Sequence, residues 1–116
     1  MGTQLVYRND STNATPAAVK ASGGIVKWIY AVSIDTTPVY LHLYNVASGS
    51  VTPGTTGERA TFVIPSQGST ANGAGFSFSP PGGIEFSTAI TIAVTTTIGG
   101  TGTPGASEVV VNIGYE

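Results

Sequence analysis

Apolar residues in this chain recur at every second position, in short runs closed by Gly, Pro, Asn or Asp. No stretch keeps the spacing of three or four that an amphipathic helix needs. Alternation of this kind puts one set of side chains on each face of an extended strand, so the chain can bury an apolar surface only by building sheets. The abundant Thr, Val and Ile suit that choice, because branched side chains fit a pleated surface.

The runs can be followed in order. Gln4–Arg8 is a short first strand and Thr15–Ser22 a weaker second. Ile25–Ile34 is the longest, with Val26, Trp28, Tyr30, Val32 and Ile34 on one side and Ile25, Lys27, Ile29, Ala31 and Ser33 on the other. Both sets hold apolar groups, which predicts a central strand covered on much of both faces. Val39–Asn45 sets Val39, Leu41 and Leu43 against Tyr40, His42 and Tyr44. Arg59–Ile64 is closed by Pro65, and Gly75–Ser79 turns Phe76 and Phe78 inward. Ile84–Phe86 is brief. Ala89–Ile98 aligns Ile90, Ile92 and Val94, and Glu108–Tyr115 aligns Val109, Val111, Ile113 and Tyr115.

Between them lie the turns Asp35–Pro38 and Pro80–Gly83 and the loops Ala47–Gly57, Ser66–Gly73 and Gly99–Gly105. Two consecutive prolines remove two ladder donors, so Pro80-Pro81 must stand outside a sheet. Turn signals roughly every 8–12 residues predict an all-β sandwich or barrel. The expected fold is a single antiparallel β-sandwich domain over 1–116, jelly-roll-like, with about eight strands. An immunoglobulin-like sandwich is the second choice, and residues 1–23 are read as an N-terminal arm or edge strands.

Chemistry is short of raw material. Only 9% of the 116 residues are charged, with six acids, four bases, one His and no Cys. Ordinary soluble domains carry about 25% charged residues. Without Cys there is no disulfide framework and no thiolate metal site. A net charge of −2 with scattered Arg8, Lys20, Lys27 and Arg59 gives no basic face for nucleic acid. Met1–Asp10 lacks a basic stretch followed by a long apolar core, so no secretory signal is expected. No run approaches the roughly 20 apolar residues of a membrane-spanning helix.

Individual motifs point the same way. His42 stands alone as an imidazole, with no Gly-x-Ser-x-Gly elbow to present a nucleophile, and is read as a surface or interface residue. The carboxylates fall mostly in turns and at strand ends, where they are solvated. Gly100–Gly105 spells G-x-G-x-x-G, but a strand rather than a helix follows it, so it is read as a β-hairpin tip and not a phosphate loop. No catalytic, metal or cofactor-binding residue is assigned, and the chain is not expected to be an enzyme.

The aromatic stripe Tyr40–His42–Tyr44, with Trp28 and Tyr30 nearby, leaves three readings open. It can pack beneath a loop of its own domain, form a subunit interface, or stack on sugar rings as in a carbohydrate-binding module.

Three stretches carry a resemblance: Val39-Tyr40-Leu41-His42-Leu43-Tyr44-Asn45, Ile84-Glu85-Phe86-Ser87-Thr88-Ala89-Ile90, and the tail from Glu108 through Val109-Val110-Val111-Asn112 to Tyr115. With Phe62-Val63-Ile64-Pro65 between the first two, this order resembles small all-β virion proteins of tailed bacteriophages, over most of Gly24–Glu116. The resemblance implies a capsid decoration (cement) or related head or tail accessory protein. It further implies a homotrimer bound to the major capsid protein at the virion surface, made in the host cytoplasm. It implies no cofactor and no direct contact with nucleic acid or membrane. On this reading Gln4, Leu5, Val6 and Tyr7 form an arm that can pair with a partner's sheet. Trp28, Tyr40, His42 and Tyr44 then make subunit contacts. The alternative is a carbohydrate- or receptor-binding module of a phage tail or fibre.

Overall fold

A computed structural model describes residues 4–68 and 73–116, so the central part of the expected Ser66–Gly73 loop and the first three residues of the expected arm lie outside the described residues. The strands run β1 Leu5–Asn9, β2 Ala17–Lys20, β3 Gly24–Ser33, β4 Val39–Tyr44, β5 Ala60–Ile64, β6 Ala74–Phe78, β7 Ile84–Phe86, β8 Ile90–Thr95 and β9 Val109–Tyr115. A single 3₁₀ turn, Ser48–Ser50, interrupts the β4–β5 loop. Each strand falls on one of the alternating runs, with ends displaced by a few residues.

All pairings are antiparallel and fall into two sheets. The first, sheet A, has the order β1-β9-β3-β6, with β7 also on β3; the second, sheet B, has the order β2-β8-β4-β5. β6 pairs with residues 29–33 of β3 and β7 with residues 24–26, so the two share one edge of the sheet. They act as one strand broken by Pro80-Pro81-Gly82-Gly83. Gly83 N–H donates to Pro80 O at 3.0 Å, and Gly82 and Gly83 take φ of 78° and 79°, where a side chain would be strained.

The pairing is nested. β1 lies on β9, β2 on β8, β3 on β6 and β7, and β4 on β5. A long hairpin rolled up on itself has that order, and the result is a jelly roll. The loop Gly99–Gly105 is therefore not a hairpin tip, since β8 belongs to sheet B and β9 to sheet A. It carries the chain from one sheet to the other.

The core lies between the sheets. Val26, Ile29, Ala31, Val109, Val111 and Ile113 from one side meet Val39, Leu41, Leu43, Ile90, Ile92 and Val94 from the other. At one side of the sandwich β5 approaches β6, and Phe62 packs against Phe76 and Phe78 with ring centroids 5.7 and 5.2 Å apart. There Phe76 stays partly buried and Phe78 reaches the surface, rather than both being enclosed.

β3 departs from simple alternation. Val26 pairs with Tyr115 and Trp28 with Gly114, which leaves Lys27 as an extra residue between adjacent partners. This bulge shifts the phase by one, so Val26 joins Ile29, Ala31 and Ser33 on the core side. Trp28, Tyr30 and Val32 remain on the outer side. β3 is central in its sheet, yet its outer face is open: Tyr30 and Ile34 are each 50% exposed.

Candidate interaction surface

Residues opposite one another in an antiparallel ladder share a face. From β3, Trp28, Tyr30 and Val32 pair with Gly114, Asn112 and Val110 of β9. Gly114 and Asn112 pair in turn with Val6 and Arg8 of β1. On the other flank Tyr30 and Val32 face Ser77 and Gly75 of β6. The outer face of sheet A thus carries Val6, Trp28, Tyr30, Val32 and Val110, with Arg8, Asn112 and Ser77 as its polar members.

Trp28 is held in place. A Cβ at position 114 would run into the indole, so the glycine lets the ring lie across β9. The indole Nε1–H donates to Gln4 Oε1 at 2.8 Å. Arg8 is occupied too, with Nε 2.7 Å from Asp10 and Nη1 donating to Asn112 at 3.5 Å. The charge on this face is therefore already partnered by its own neighbours, and apolar groups supply much of the rest. Val6 is 63% exposed.

Sheet B presents a different outer face. Tyr40, His42 and Tyr44 do point away from the core, but the chain folds back over them. Val46 and Val51 from the β4–β5 loop pack on Tyr44 and Ala93 in a second apolar cluster. Thr91 Oγ1 donates to Val46 O at 2.6 Å, anchoring the loop to β8. Gly100 lies against Gly54, so the crossover loop and the β4–β5 loop touch. His42 and Tyr44 are 0% exposed and Tyr40 is half-buried. His42 and Tyr44, expected at a subunit contact, are instead enclosed within their own domain, Tyr44 beneath the β4–β5 loop and His42 between Thr61 and Thr95.

The buried imidazole is fully engaged. Its Nε2 is 2.7 Å from Thr95 Oγ1, and that hydroxyl already donates to Thr97 O. Thr95 must therefore accept from Nε2–H, which leaves Nδ1 to accept from Thr61 Oγ1 at 3.3 Å. Burial lowers the His42 pKa, and the nearby Glu58 carboxylate, 3.8 Å from Nδ1, partly offsets this. Burial, helped by Glu58, pushes Tyr44 up to about 12. The Tyr44 hydroxyl has no hydrogen-bond partner among the described residues.

The sequence-derived candidates therefore divide. Gln4, Val6 and Trp28 meet on the outer face of sheet A. Leu5 and Tyr7 alternate to the other side of β1, where Tyr7 packs on the core and Leu5 stays exposed. Tyr40, His42 and Tyr44 belong to the opposite side of the molecule. Tyr30, Val32 and Val110 were missed as a surface, although their strands were placed.

A groove of about 640 Å3 runs past Phe62 and Phe78, with Arg59 and Glu85 at its side. Arg59 Nε donates to the Glu85 carbonyl at 3.1 Å across the gap between the sheets. Among the described residues, no three of His, Cys, Asp and Glu come together as a metal site, and no helix is long and apolar enough to cross a membrane.

No family model matches this sequence, and no curated protein does. Among solved structures, a chain reported under the words "Bacillus endospore appendages form a novel family of disulfide-linked pili" aligns over 98% of this chain and 90% of its own. Its sequence identity is 20% and its TM-score 0.29.

Proposed function

We propose that this chain is a structural virion protein that decorates a phage capsid by laying the outer face of sheet A across major capsid subunits. The observation that carries the reading is the contrast between an open apolar sheet face and its covered counterpart. A face built from Val6, Trp28, Tyr30, Val32 and Val110 gains by leaving water. Its single arginine is already paired, so docking requires little desolvation of charge. The resemblance to small phage virion proteins supplies the kind of partner.

Attachment of this type holds best when one protein touches several neighbours, because each further contact becomes intramolecular once the first has formed. Internal pressure tends to separate shell subunits, and bridging surfaces resist that separation. The sugar-binding alternative loses its proposed platform, since His42 and Tyr44 are enclosed.

The test is direct. The chain should be found by mass spectrometry in purified virions of the phage that encodes it. The purified chain should also co-sediment with shells of that phage's major capsid protein. Tyr30→Lys together with Val32→Lys should abolish co-sedimentation while the chain still unfolds in one cooperative transition. Absence from the particle, or binding indifferent to the double substitution, would refute the proposal.

A further inference from the structure

Among the described strands the two sheets have four edges, and these are not equally guarded. β6 and β7 are broken by Pro80-Pro81, and Arg59 occupies the Glu85 carbonyl. β5 also runs unbroken over five residues, but Phe62 ties it to β6 and Pro65 follows its last residue. β2 has only four residues, a shifted register between Ala18 and Lys20, and a terminal lysine. These are the usual devices that stop sheets from joining edge to edge. β1 carries one charge, Arg8, and that guanidinium is already bound within its own chain by Asp10 and Asn112. Its five residues run in unbroken register along β9, it contains no proline, and among the described strands it pairs with β9 alone. Leu5 and Val6 are both exposed on it.

We propose that β1 pairs antiparallel with β1 of a second copy of this chain, joining two A sheets about a two-fold axis at Val6. An axis perpendicular to the sheet keeps each residue opposite one of the same face. Centred on Val6, the register sets Val6 against Val6 and Leu5 against Tyr7 of the second copy. Gln4 then meets Arg8, so no like charges oppose each other. The strand is thus complementary to itself.

Area argues for the same occupant. The open face spans strand runs of five to seven residues. Four strand positions about 4.8 Å apart, with about 3.3 Å per residue, make it on the order of 400 Å2. A stable interface takes about 800 Å2 from each partner. Two copies side by side supply a continuous face of about that size. This last argument rests on the capsid-binding reading; the edge and its register do not.

Light scattering on the isolated chain separates the two proposals, because no shell is present. The expected result is a dimer. Val6→Lys should give a folded monomer, since the side chain is exposed and only the pairing opposes two lysines, and its melt should lose the concentration dependence that a dimer imposes. Val6→Glu should do the same, and mixing the two variants should restore a dimer through opposite charges. A monomeric or trimeric wild type, a dimeric Val6→Lys, or a mixture that stays monomeric would overturn the pairing. Shell co-sedimentation would still be judged separately by the Tyr30 and Val32 substitutions.

Discussion

Tyr30 and Tyr44 sit on interior strands of their sheets, both point away from the core, and they meet opposite fates. Tyr30 on sheet A is half in water, whereas Tyr44 on sheet B is sealed under Val51 and Val46. Strand propensity and alternation are alike in the two places. The difference comes from the connection that leaves each strand: β4 is succeeded by a long loop that lies back on its own sheet. Among the described residues, no connection lies over the outer face of sheet A in that way. Burial of an outward-facing residue is thus decided by a connection, and a polar-looking loop can act as a third layer.

Substitutions at these two tyrosines probe the contrast most sharply. Tyr44→Ala should destabilise the fold by about 3–5 kcal/mol, as expected for emptying a buried aromatic site. Urea denaturation would show it as a lowered midpoint at unchanged slope. If the loss is near zero, the loop does not cover sheet B as described.

Acid should weaken the covered side next. The folded His42 pKa is below its ordinary 6.5, so the unfolded chain takes up a proton first as pH falls. Above 6.5 both states are neutral and the group contributes no pH dependence. Below 6.5 stability should decline until the folded pKa is passed. Glu58→Gln removes the carboxylate that favours the imidazolium and should steepen that decline. Melts recorded across the range, with His42→Gln as reference, would measure it.

Smaller effects remain. Tyr44→Phe deletes a buried hydroxyl that lacks a partner and should stabilise by about 1 kcal/mol. A lower midpoint would mean that the hydroxyl is satisfied by ordered water. Tyr30→Ala should shift stability by no more than about 0.5 kcal/mol, because its ring is already half solvated. A cost as large as that at Tyr44 would erase the distinction between the faces.

Strand positions were readable because alternation and punctuation act locally. Val39–Tyr44 and Ile84–Phe86 sit where their residues placed them. The Val26–Trp28 bulge was not readable. Both flanking sets are apolar, so a one-residue phase slip leaves no trace in the pattern. The cover over His42 was equally hidden, since Ala47–Gly57 is rich in Gly, Ser and Thr and offers Val51 as its buried apolar anchor. The open face of sheet A was hidden for the opposite reason. Trp28, Tyr30 and Val32 look like core residues, and alternation alone does not say on which side a core will form.

The nested order also governs how the molecule comes into being on the ribosome. Of the described strands β1 leaves the ribosome before all the others, yet its hydrogen-bonding neighbour β9 leaves after them; Arg8 and its contact Asn112 are 104 positions apart. Until that final segment emerges, the opening strand has no place in the sheet. Closing such distant pairs carries the entropy of the whole intervening chain, so folding should be slow. During that interval β3 too lacks its partner β9, so the apolar run around Trp28 and Tyr30 stays open beside Leu5–Tyr7.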